Sequence, residues 1–77
     1  MTREELIKQN RAKVRDHKIA VYEDSIKALE QMKKIYEEDV HLYGGYYNAM
    51  MDEINSQIED CKGFIENIKM RYAEEEN

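Results

Sequence analysis

In the second half of the chain, residues with apolar bodies recur in alternating steps of four and three: Tyr47, Met51, Ile54, Ile58, Cys61, Ile65, Ile68 and Tyr72. That spacing averages half of a heptad, the repeat that keeps one edge of an α-helix turned toward a neighbouring helix along its length. A β-strand, with its period of two, would scatter these residues over both faces. The segment is therefore expected to be a long helix that packs on another helix. Composition agrees with an all-α chain, since proline is absent, only three glycines occur and charged residues make up 38%. These are the proportions of solvated helix rather than of sheet.

The partner helix is expected within the same chain. Thr2 followed by Glu5 has the spacing of a capping box, so a helix begins almost at the first residue. Nothing interrupts it before Gly44-Gly45, the one pair of strong helix breakers. Its apolar residues form two rows. Ile7, Val14, Val21, Ala28, Ile35 and Leu42 recur every seven, while Tyr22, Ile26, Leu29, Met32, Tyr36, Val40 and Tyr43 form a denser stripe. Read as one seam, the passage from the first row to the second is a stutter, which relaxes supercoiling locally. The expected fold is a single domain, residues 1–77, built as an antiparallel helical hairpin of coiled-coil type. Helix 1 spans about 2–42, the turn 43–48 with Asn48 as N-cap, and helix 2 about 49–75, ending in an acidic segment from Ala73 to Asn77 that frays. With equal rise per residue, facing positions sum to roughly 90. Tyr36 then meets Ile54, Met32 meets Ile58 and Leu29 meets Cys61, and residues 1–17 project beyond the end of the second helix.

A chain of 77 residues has little core to bury, and association is the usual remedy. Ile35, Leu42, Met50 and Phe64 lie beside the hairpin seam rather than on it, which makes them the expected oligomer interface of a bundle completed by a second copy or by another helical protein. A homodimer is the simplest case. Charge is divided unevenly: residues 1–18 carry six Lys/Arg against three Asp/Glu, and residues 19–77 six against fourteen. The basic overhang, with Arg11 and Arg15, and the aromatic turn, with Tyr43, Tyr46 and Tyr47, are the expected partner-binding features, because tyrosine suits interfaces. In a dimer the overhang is expected to lie along Glu59, Asp60, Glu66 and Glu74 of the neighbour.

Catalysis is not expected. No serine stands with a histidine and an acid in a usable arrangement, and no glycine-rich phosphate loop occurs, so no cofactor site is read. Glu38-x-x-His41 has the spacing of di-iron bundle ligands but points away from any enclosed centre. The run from Lys8 to Lys18 has the flavour of a DNA-binding basic region, diluted by Asp16, Glu4 and Glu5, and direct nucleic-acid binding is not the favoured reading. The lone Cys61 falls on the seam and reads as a small buried apolar residue. No apolar run is long enough to span a membrane and the first residues lack a secretory signal pattern. The expectation is a cytoplasmic protein, with export without a cleaved signal as the alternative.

A long helix, Tyr43-Gly44-Gly45 at the turn and a second helix together resemble the WXG family, the early-secreted-antigen-like helical hairpins of type VII secretion, with tyrosine in place of the family's tryptophan. Tyr72-Ala73-Glu74-Glu75-Glu76 is similar to the Tyr-x-x-x-Asp/Glu pattern near the carboxyl end of some members. The resemblance implies a secreted or co-secreted protein that pairs with another helical protein. A different class also resembles this chain: small acidic phage-type inhibitors of the anti-CRISPR kind, which occlude a nucleic-acid channel with carboxylates spaced like phosphates. Glu37-Glu38-Asp39, Asp52-Glu53, Glu59-Asp60 and Glu74-Glu75-Glu76 would supply those charges.

Overall fold

The computed structural model describes residues 1–76, with side chains as far as Glu74. It is an antiparallel hairpin of two long helices. Helix α1 runs Arg3–Glu38, a short α2 runs Val40–Tyr43, a single 3-10 turn covers Gly44–Tyr46, and α3 runs Tyr47–Glu76. The Thr2 hydroxyl accepts the Glu5 backbone N–H at 3.2 Å, so the capping residue read from the sequence starts α1.

The turn differs in construction from the expected 43–48 loop. The first helix is interrupted at Asp39, whose backbone (φ −102°, ψ 21°) leaves the helical region while its N–H still donates to the Ile35 carbonyl. Helix resumes as α2 and ends at Gly44, where φ is +55° and ψ −128°. An L side chain rarely adopts that conformation, which is why one of the paired glycines is required. Gly45 has no such demand. The Tyr47 N–H donates to the Gly44 carbonyl, so the 3-10 turn runs directly into α3 and supplies the first partner that a cap would otherwise provide. Asn48 accordingly sits inside the first turn of α3 and is not its N-cap.

The α3 seam is as the spacing predicts. Ile54, Ile58 and Ile65 are buried, and Tyr47, Met51, Cys61, Ile68 and Tyr72 are half-buried. Apart from Ser25 beside the seam, the half-buried positions on α1 are Ala12, Arg15, Ile19, Tyr22, Ile26, Leu29, Lys33 and Tyr36. Their steps of three and four never slip, so the stutter is absent. The two apolar rows coexist as separate edges of one helix: the Tyr22 row faces α3 and the Val14 row does not. At the expected Met32 position, Lys33 occupies the seam and Met32 stays largely exposed, because an unbroken heptad step from Leu29 and Ile26 lands on 33. A lysine fits there by packing its alkyl stem and keeping its ammonium in water.

The hairpin measures 61 × 18 × 9 Å across its Cα atoms, so it is a plank one helix thick. Its surface of 6201 Å² exceeds by about 1,200 Å² what a compact chain of this mass exposes. Among the described residues three isoleucines are its whole buried core.

Candidate interaction surface

A plank has two broad sides, and helix geometry assigns residues to each. One side carries Asp16, Glu23, Glu30 and Glu37 along α1, at intervals of seven, and Asn48, Asn55, Lys62 and Lys69 along α3. Asp16 and Lys69 share a shallow cleft there with Arg15 and Ala73. Lys62 pairs with Glu59 at 3.5 Å and Lys69 with Glu66 at 3.9 Å, each one helical turn apart and solvent-exposed. Exposed pairs of this kind are worth roughly 0–1 kcal/mol each and describe a face that stays wet.

The opposite side is apolar. It carries the row Ile7, Val14, Val21, Ala28, Ile35 and Leu42, every member exposed, and beside it Met32. From α3 come Met50, Gln57 and Phe64. The two helices meet there in an open groove of about 510 Å³ lined by Ala28, Leu29, Gln57, Cys61 and Phe64, with Ser25 and the carboxylate-bearing Asp60 also in its lining. The Ser25 hydroxyl donates to the Val21 carbonyl at 3.0 Å and so is already satisfied within α1. Phe64 stacks obliquely on Tyr22 with ring centroids 5.3 Å apart, yet remains 49% exposed. Val21 and Ile35 are 50% and 51% exposed and Leu42 71%. Three of the four residues read as an oligomer interface, Ile35, Leu42 and Phe64, thus stand open on this one side, and Met50 is half-buried beside them.

The expected partner-binding residues are divided. Tyr46 is 78% exposed at the turn. Tyr43 and Tyr47 are half-buried, and the Tyr43 ring meets Tyr36 edge-on at 5.2 Å, so these two belong to the packing that closes the hairpin. The overhang is also shorter than expected. Ala12, Arg15 and Ile19 already pack toward α3, and the Lys18 ammonium lies 5.5 Å from the Tyr72 ring centroid in cation–π geometry. Arg15 therefore sits on the hairpin seam, bonded through Nε to Asp16 at 3.0 Å, and leaves only residues 1–11 projecting, Arg11 among them. The heptad that carries these contacts was hidden because alanine, arginine and lysine hold three of its places.

Among the described residues no three His, Cys, Asp or Glu side chains gather as a metal site, and no helix is long and apolar enough to cross a membrane. Cys61 is a half-buried free thiol. Comparison with protein-family models, with curated proteins and with solved structures gives no match to this chain.

Proposed function

We propose that this chain is a non-enzymatic helix-packing protein that acts by binding another helical surface through its apolar side, in the manner of a WXG-like pairing partner. The observation that carries the reading is the contrast between the two sides of the plank. One side carries charged and polar residues, two pairs of them linked along α3, whereas the other leaves Val21, Ile35, Leu42 and Phe64 about half or more exposed around a groove. Contiguous apolar surface of this kind marks an interaction site. At the turn the positive φ falls on Gly44, the middle place of Tyr43-Gly44-Gly45, and not on Gly45, which stands where the family has its glycine. Tyr72 of the carboxyl-end pattern is half-buried beneath Lys18, and the side chains of Glu75 and Glu76 lie outside the described residues.

The phosphate-mimic reading fits less well. Of the acids that would supply those charges, Glu59 and Glu66 are paired with Lys62 and Lys69. Photo-crosslinking in the producing cell tests the choice. A photoreactive residue replacing Phe64 should give one protein adduct, reconstituted from purified components, and the same residue replacing Asn55 on the charged side should give none. Absence of an adduct at Phe64, or equal labelling at both positions, overturns the reading.

A further inference from the structure

We infer that the occupant of the apolar side is a second copy of this chain, seated antiparallel so that the two turns lie at opposite ends of a four-helix bundle. The inference rests on the binding reading above and adds the identity and orientation of the partner. Two observations carry it, the symmetry of the exposed apolar row and the lengthwise distribution of charge.

The apolar row from Ile7 to Leu42 is symmetric about its own midpoint, between Val21 and Ala28. Those two lie equally far from it, as do Val14 and Ile35, and Ile7 and Leu42, and all six are exposed. A two-fold axis there places the row of one copy on the row of the other, with Val21 against Ala28 at the crossing and the groove beside Phe64 facing its counterpart. Both copies then use the same patch, as an isologous interface requires.

Charge chooses the orientation. Residues 37–53, around the turn, hold five acidic residues and no lysine or arginine, while residues 8–18 hold five basic residues against one acidic. The hairpin places these two segments at opposite ends of the plank. With the turns at opposite ends, the basic segment of each copy lies along the acidic turn of the other, and the projecting Leu6 and Ile7 reach its exposed Leu42 and Tyr46. With the turns together, two acidic ends and two basic ends are brought side by side instead. Of the body carboxylates expected to receive the overhang, Glu59 and Glu66 face the charged side and pair with Lys62 and Lys69, whereas Asp60 lines the groove itself.

The test is a spin label on Asn48→Cys, an exposed position on the charged side, in a Cys61→Ser background whose helicity is checked by circular dichroism. Sedimentation at high micromolar concentration should give twice 9.3 kDa. The label-to-label distance should exceed about 40 Å, from the 1.5 Å rise per residue between the turn and the two-fold axis. A dimer with labels within about 30 Å overturns the orientation. A monomer overturns the second copy as occupant, and it leaves the Phe64 crosslink to decide separately whether an unlike protein binds the same side.

Discussion

The two long helices bury their apolar residues differently. Helix α3 concentrates them on one seam and contributes the three buried isoleucines, whereas none of the described residues of α1 is buried although α1 is the longer, at 36 residues against 30. Helix α1 divides its apolar residues between two edges about a third of a turn apart, one for α3 and one turned away from it. A helix committed to a single partner has no reason to carry the second edge. The comparison teaches that α3 spends most of its apolar residues on the hairpin, whereas α1 leaves a whole apolar row open on the side where Phe64 of α3 is also exposed.

Substitutions in α3 should therefore cost folding, and substitutions on the outer edge of α1 should cost association. Ile58→Ala removes one of the three buried side chains and is expected to lose about 2–4 kcal/mol of stability in urea unfolding. A smaller loss than that of Ile35→Ala under monomeric conditions would break the comparison. The turn comes next. Gly44→Ala forces a side chain into a φ of +55° and should cost about 1–3 kcal/mol with no clash to relieve, whereas Gly45→Ala should cost far less. Equal effects at the two glycines would deny Gly44 its special place.

Tyrosines at the turn sharpen the division further. Tyr43→Ala loses the edge-on contact with Tyr36 and should destabilise by about 0.5–1.5 kcal/mol beyond its lost area, while Tyr46→Ala should leave the melting curve where it was. A matching loss at Tyr46 would show that it packs in the assembly, on the partner's arm. The smallest effect is a gain. Gly63 is exposed in the interior of α3 with nothing within 4 Å of an added Cβ, so Gly63→Ala should raise stability by roughly 0.5–1 kcal/mol, read from the urea midpoint. A loss there would mean that another backbone comes close to Gly63.

How much of this was legible in the sequence follows from the same asymmetry. The α3 seam could be read directly because isoleucines or their equivalents hold each of its places, and the hairpin followed from that seam and Gly44-Gly45. The α1 seam could not, since Ala12, Arg15 and Lys33 stand where apolar residues were sought, and long side chains that pack by their stems do not register as hydrophobic. That concealment made two edges look like one edge with a stutter, and made Arg15 look like part of a free arm. Ile35, Leu42, Met50 and Phe64 could be singled out as flanking residues by spacing alone. That the apolar flank of α1 and that of α3 fall on one side depends on how the two helices are rotated in the hairpin, which no single-helix periodicity contains. The Asp39 break was also invisible, because neither Glu38 nor Val40 is a helix breaker.

The thermal midpoint as a function of protein concentration tests the two-interface account most directly, since an interface between copies is stabilised by mass action and a finished hairpin is not. The midpoint of the native chain should rise by about 4 °C for each tenfold increase in concentration, given the unfolding entropy of a dimer of this size. The double variant Ile35→Lys, Phe64→Lys should melt at a lower temperature that does not change with concentration. A native chain whose midpoint is independent of concentration, sedimenting at 9.3 kDa, would contradict the account.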